Sequence, residues 1–216
     1  MKIIEVKTAF KIADVEFVAG STKLNFNYLK NLKDENGNAL PQSILTQNVA
    51  RVYLIVVDGE IKKIGGSQAA GGIKNTLEIY KDGGVKGRPS IRSFGVWYFL
   101  YHTILSGAKI EFYMIYQENF EKEIKGLFGL KNVKNAYISY KLIEECCVED
   151  YLSCEGGKFP DWNVQEQGKD WPLQIKNEHA EIQKKMRKAE RKKSCEKRRK
   201  DKQTHSTTDK YAFHLR

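Results

Sequence analysis

One stretch, residues 51 to 67, constrains the fold more than any other. The pair Asp58-Gly59 lies between two runs rich in β-branched residues, Arg51 to Val57 and Glu60 to Ile64. Both members of such a pair accept positive φ, which a two-residue turn matched to strand twist requires, so the stretch reads as a β-hairpin. The first run is apolar at nearly every position, which predicts cover on both faces and a central rather than an edge position. The second run ends in Gly65-Gly66-Ser67, where the backbone can turn sharply or approach a ligand closely. A strict two-residue turn pairs Tyr53 with Ile64 and sends Lys63 to the opposite face. Tyr53 and Lys63 share a face only if a bulge or a three-residue turn shifts the register.

The flanking segments read as a mixture of strands and helices. Residues 2 to 30 read as extended, with Phe10, Phe17, Phe26 and Tyr28 as apolar anchors and a turn at Gly20-Ser21. A polar loop follows, with a turn at Asn36-Gly37. Ile73, Leu77 and Tyr80 have helical spacing, and Lys81-Asp82-Gly83-Gly84 breaks that helix. Pro89 suits the first turn of a second, largely buried helix that carries Trp97, Tyr98, Phe99 and Tyr101 and ends at Ser106-Gly107. Lys109 to Tyr116 reads as a third strand, Glu118 to Phe128 as an amphipathic helix, and Ile138 to Leu152 as a further helical stretch before Gly156-Gly157.

Charge narrows the partners. The net charge is +10 and the pI about 9.3, which favours a polyanion: DNA, RNA or an anionic membrane surface. Residues 176 to 202 hold 13 Lys or Arg against 5 Asp or Glu, a net +8 that leaves only +2 for the rest of the chain. That stretch has no Gly or Pro and few apolar residues, so it reads as a long polar helix. No run of about 18 apolar residues is present to span a bilayer. Residues 1 to 7 alternate apolar and charged side chains, unlike a signal peptide. Cys146, Cys147, Cys154 and Cys195 form no CxxC pair and read as reduced thiols. The chain has no Ser/His/Asp triad, no Walker loop and no His-Cys zinc cluster, and His102 reads as a core or groove residue.

A strand with a tyrosine, a tight turn, a strand ending in Ile-Gly and then a helix resembles the GIY-YIG nuclease family. Arg51-Val52-Tyr53 stands for the first motif, with Arg in place of Gly. Lys63-Ile64-Gly65 stands for the second, with Lys in place of the family's second Tyr. Glu149 followed by Pro160-Asp161-Trp162-Asn163 is similar to the family's metal-binding Glu and its Pro-x-Trp/Tyr-Asn end. The resemblance covers roughly residues 50 to 165 and implies an α+β core: a three-stranded sheet flanked by helices, in the order β-β-α-β-α-α. Residues 1–49 are then an N-terminal extension, a DNA or dimer contact or plain scaffold. Residues 166–216 are a basic helical DNA-binding tail.

The resemblance also implies roles. A single divalent cation polarises the scissile phosphate and stabilises the leaving oxygen, and Mg²⁺ (or Mn²⁺) needs only one or two carboxylates. Glu149 is the implied ligand, with Glu145, Asp150 and Glu155 as rivals. The catalytic Arg lies at or near the start of the second helix, where Arg88 and Arg92 both qualify and Arg92 is favoured. Tyr53 orients or deprotonates the attacking water. A phenol is a poor base at neutral pH, so it needs cationic help. Lys63, as the main departure from the family, is either a base with a lowered pKa or a charge clamp on the phosphate. Asn163 braces the site by hydrogen bonds. Lys184, Lys185, Arg187, Lys188, Arg191, Lys192, Arg198 and Arg199 are the DNA-clamp residues of the tail. The implied whole is a cytoplasmic, site-specific restriction endonuclease that acts on double-stranded DNA as a homodimer. The alternatives are a homing or repair nuclease of the same fold, or a DNA-binding protein with a degenerate nuclease core.

Overall fold

The chain is described by a computed structural model. It describes residues 1–84 and 89–212, with side chains through residue 197. Arg88 lies outside the described residues, as do the side chains of Arg198 and Arg199.

A five-stranded antiparallel sheet replaces the three strands expected for the core, in the order β2-β1-β7-β5-β6. The strands are β1 Phe10–Phe17, β2 Leu24–Tyr28, β5 Ala50–Val57, β6 Glu60–Ser67 and β7 Ile110–Gln117. The N-terminal segment thus contributes two of the five strands, because β1 pairs with the otherwise free side of β7. Two small hairpins stand apart: β3 Leu32–Lys33 with β4 Ala39–Leu40, and β8 Phe120–Gly126 with β9 Gly129–Ala136. The β8–β9 hairpin occupies the stretch for which an amphipathic helix was expected. Ile124 and Lys131 face one another across it, and Gly126 and Gly129 close its turn, so local turn chemistry overrides the helical periodicity. Among the described residues the α-helices are α1 Gly72–Glu78, α2 Ile91–Leu105, α3 Tyr140–Cys154 and α4 Leu173–Ala212. Pro89 lies just outside α2, whose N-cap is Ser90, its hydroxyl accepting from the Ser93 amide.

β5 is buried along its whole length, as its continuous apolar run requires. Its alternate residues feed two clusters. Tyr53, Ile55 and Val57 join the larger one with β1, β2, β7 and α2. Val52, Leu54 and Val56 join Ile61, Ile64 and Tyr151 beneath α3. α2 is apolar nearly all round, and it sits between the sheet and Trp171, whose indole covers Gly95 closely enough to leave no room for a side chain there.

β5 is central, but its hairpin partner β6 is the last strand of the sheet. The outer side of β6 is nonetheless occupied from Ile61 to Ile64. The Ile61 amide donates to the Met1 carbonyl at 3.1 Å, and the Lys62 carbonyl accepts from the Trp162 amide at 2.8 Å. Asn163, fully buried, then uses both ends of its carboxamide on one residue. Its Oδ1 accepts from the Ile64 amide and its Nδ2 donates to the Ile64 carbonyl, each at 2.9 Å. A side chain here does the work of a neighbouring strand, which blocks further pairing along that part of the edge.

Asn163→Ala leaves a buried amide and a buried carbonyl without partners. We expect it to lower stability by about 2–4 kcal/mol, read as a fall in the urea midpoint with an unchanged slope.

Candidate active site

The hairpin register decides which side chains can meet. The turn is the tight one expected, with φ of 48° at Asp58 and 84° at Gly59. Val57 pairs with Glu60 and Val56 with Ile61, but Ile55 then pairs with Lys63, so Lys62 is an extra, bulged residue. From there outward the alternation of β6 is reversed. Leu54 faces Ile64, Tyr53 faces Gly65, and Lys63 shares a face with Tyr53. The irregular hairpin is therefore the one that occurs. The bulge is held from outside by the Trp162 bond to the Lys62 carbonyl and by Lys62 Nζ, which lies 2.9 Å from Asp161 and 3.1 Å from Glu60.

Gly65 and Gly66 leave the end of β6 bare on both faces. A Cβ on Gly65 would lie 2.5 Å from the Tyr53 hydroxyl, so the phenol rests directly on that backbone. A Cβ on Gly66, on the other face, would lie 2.6 Å from the Tyr140 ring and 2.7 Å from Glu144 Oε2. Groups from α2 and from α3 thus approach one another around the edge of the sheet. They line a cleft of about 390 Å³ whose walls include Gly66, Arg92, Tyr140, Glu144, Glu149 and Glu166.

Within and beside this cleft the charges are coupled. The Tyr53 and Tyr80 hydroxyls are 2.7 Å apart, and burial holds both phenols above the ordinary range. The Arg92 guanidinium favours ionisation of both, and Glu144 opposes it. Lys63 is 1% exposed, and burial lowers its pKa to about 8 despite the pull of Glu166 and Glu144. Burial acts to lower the pKa of Arg92 as well. There, Glu166 at 2.8 Å, with the two phenols and Glu144, outweighs burial and holds the guanidinium above its ordinary value.

The structure brings together Tyr53, Lys63 and Arg92 of the expected set, with Asn163 fixing the backbone of Ile64 between Lys63 and Gly65. Glu149 lies on the exposed rim of the same cleft. The carboxylate that acts on both phenols, on Lys63 and on Arg92 is Glu144, five positions earlier on α3. Glu144, Tyr80 and Glu166 were missed in the sequence. Tyr140 and Glu144 at i,i+4 on one helix face were a usable signal for Glu144. Tyr80 looked like one more apolar position of α1, and Glu166 had no signal of its own. Arg51, the first residue of the Arg51-Val52-Tyr53 run, is fully buried and structural. Its guanidinium donates to the carbonyls of Gln47, Val49 and Ala69 at 2.8–2.9 Å, and burial lowers its pKa to about 10.

Among the described residues no group of three His, Cys, Asp or Glu side chains could encage a metal. Glu144, with Glu145, Glu149 and Glu166 around the same cleft, fits a hard cation that keeps most of its waters and needs one or two carboxylates.

The start of α4 is docked on α2. Ile175 is buried, the His179 ring lies 5.6 Å from Phe94, and His179 Nε2 and Gln183 Nε2 each reach the Pro89 carbonyl at 2.8 Å. Beyond Gln183 the basic residues Lys184, Lys185, Arg187, Lys188, Arg191 and Lys192 are exposed. Lys184, Arg187, Lys188 and Arg191 form one stripe along a groove. At about 1.5 Å per residue, the 40 residues of α4 extend some 60 Å. No described helix is long and apolar enough to cross a membrane.

No family model matches the chain, and no curated protein matches it. Among solved structures it is similar to a mutant of bacteriophage T4 EndoII, with TM-score 0.44 and 14% identity over 76% of this chain and 99% of that one. It is also similar to the restriction endonuclease HPY188I in complex with product DNA, with TM-score 0.41 and 20% identity over 74% of this chain and 84% of that one.

Lys63 is held in a place that disfavours its charge, so its removal should stabilise the fold. The drop from 10.5 to about 8 corresponds to about 3 kcal/mol at neutral pH. The penalty is complete below pH 8. It shrinks as pH rises through the unfolded lysine's own pKa near ~10.4, above which both states are neutral. Lys63→Met is expected to raise the denaturation midpoint at pH 7, with the gain over wild type fading by pH 10. A midpoint that falls at pH 7 would show that the ammonium is well accommodated.

Proposed function

We propose that this chain is a divalent-metal-dependent DNA endonuclease of the GIY-YIG type, acting on double-stranded DNA as a site-specific restriction enzyme. The observation that carries the reading is the convergence of Tyr53, Lys63, Arg92 and Glu144 from β5, β6, α2 and α3: Arg92 and Glu144 line one cleft, and the buried Tyr53 and Lys63 lie beside it within reach of both charges. Phosphodiester hydrolysis needs a base for the water, a cationic fork for the phosphate and an anchor for a cation, and these residue types supply all three. The exposed basic stripe of α4 supplies sequence-independent affinity for the backbone.

The roles follow from the environments. Arg92 receives the scissile phosphate. Its ion pair with Glu166 fixes the guanidinium beforehand and yields to the incoming oxygens. Lys63, with a pKa of about 8, is in part a free amine near neutral pH, so it takes the proton that the phenol pair cannot. Tyr53, packed on Gly65 and bonded to Tyr80, orients the attacking water. Glu144 would hold Mg²⁺ or Mn²⁺, which when bound neutralises charge on the phosphate and on the leaving oxygen. Glu149 on the rim assists through the surrounding waters. One such site cuts one strand, so cleavage of both strands at a palindrome calls for a homodimer.

Plasmid DNA incubated with the protein and Mg²⁺ should give discrete fragments. A smear would mark a nonspecific nuclease, and intact plasmid would remove the reading. Glu144→Gln should slow cleavage by about a hundredfold or more with little change in DNA affinity, since it removes the cation's anchor and not the basic arm. The wild-type kcat/KM should rise with pH to a plateau through about 8 as Lys63 loses its proton. If Lys63 were a phosphate clamp instead, the profile would fall over the same range. Replacing Lys184, Arg187, Lys188 and Arg191 by Ala should flatten the salt dependence of binding by about 0.9 log unit for each phosphate no longer neutralised.

A further inference from the structure

The hairpin β8–β9 takes no part in the chemistry of the cleft. It pairs with no other described strand, and from Glu121 to Gly126 every residue is exposed. Its turn is Leu127-Phe128, with side chains 94% and 95% exposed. Leu130 and Ile124, just behind, are 62% and 46% exposed. Nothing in turn chemistry asks for such residues: a two-residue hairpin turn favours Asn, Asp and Gly. Here Gly129, at φ 117°, takes up the positive φ, and the two turn positions are left to large apolar groups pointing into solvent. A lone two-stranded ribbon with an apolar tip has no stability reason to exist in water, so the tip is built for contact.

The surroundings of the tip say with what. Lys125 pairs with Leu130 and Ile124 with Lys131, so one lysine stands behind the tip on each face of the ribbon. Nearer the base, Lys122 and Lys134 are offset by Glu121 and Glu123, so the ribbon's net positive charge lies at the tip end. The base itself, Phe120 opposite Ala136, lies four residues before Tyr140, which lines the cleft and covers Gly66. At about 3.4 Å per residue the ribbon reaches roughly 25 Å from the rim of the cleft, about the breadth of a duplex. An apolar point flanked by ammonium groups, rooted at a phosphate-sized cleft, complements a polyanion whose interior is a stack of flat apolar rings. Two copies meeting tip to tip would instead bring four of these lysines together.

We propose that this ribbon is a DNA-inserting element. Leu127 and Phe128 enter a groove of the duplex and wedge between neighbouring base pairs, while Lys125 and Lys131 take the phosphates on either side. The inference rests on the reading of the chain as a DNA endonuclease, and it adds an unstacking step that distorts the duplex near the cut.

The test is independent of sequence. Closed circular plasmid is relaxed by a metal-independent topoisomerase in EDTA, with and without the protein, and its linking number is measured after the protein is removed. The wild type should leave the plasmid underwound. The double variant Leu127→Ser with Phe128→Ser should not, and should bind duplex about tenfold more weakly, the scale of a single base–aromatic stack, with its salt dependence unchanged. Phe128→Trp should restore the underwinding. Underwinding and affinity retained in the double variant would overturn the proposal. So would a wild-type dimer that becomes monomeric in the double variant without DNA, which would make the tip a contact between copies. A wild type that underwinds DNA yet cuts none with Mg²⁺ would sustain the insertion and remove the nuclease reading.

Discussion

The site depends on two missing side chains. Gly65 and Gly66 are consecutive, so their absent Cβ atoms fall on opposite faces of the last strand of the sheet. On one face the Tyr53 phenol lies across the backbone, and on the other Tyr140 and Glu144 do. A sheet normally separates what packs above it from what packs below. Here the edge is thin enough for a guanidinium from α2 and a carboxylate from α3 to share one cleft. Any other residue at either position would push one layer back and keep the two sets of groups apart.

That geometry needs a matching register, which the bulge at Lys62 provides. Without it Lys63 would lie under α3, in an apolar cluster, and Ile64 would sit beside Tyr53. The segment from Pro160 to Glu166 fixes several parts of the arrangement at once. Trp162 bonds the bulge and stacks on Phe99 of α2 at 5.4 Å, Asn163 pairs with Ile64, and Glu166 holds Arg92. One short loop thus ties the edge strand to the helix that bears Arg92. The energetic burden sits on Lys63, whose burial disfavours its ammonium form. Strain of this kind is what a functional site leaves in an otherwise consistent fold.

Much of this was legible. The Asp58-Gly59 turn, the buried run of β5, the aromatic α2 and the basic α4 all follow from local chemistry, and Tyr53, Lys63, Arg92 and Asn163, singled out in the sequence, are residues that the fold brings close together. The conflict between a strict turn and a shared face for Tyr53 and Lys63 left two outcomes open, a Lys63 outside the site or an irregular hairpin, and the hairpin is irregular. What could not be read depends on long-range pairing. β1 and β2 belong to the central sheet only because β7 offers them a free side. Phe120 to Phe128 carries a helix-like period but folds on Gly126 and Gly129. Glu144, rather than Glu149, acts on the two phenols, Lys63 and Arg92 because of where α3 crosses β6, and no spacing along the chain encodes that crossing.

Arg51 has one more consequence. It lies at the open end of the hairpin, opposite the turn. Its guanidinium joins the carbonyls of Gln47 and Val49, before β5, to that of Ala69, after β6. Hairpins ordinarily fray from that end, one residue pair at a time. Here the first step of fraying would strand a dehydrated cation or its three acceptors, so the end should open as a block. Amide hydrogens of the glycine strand would then exchange with solvent at the pace of the core, and the cleft would keep its shape between encounters with substrate.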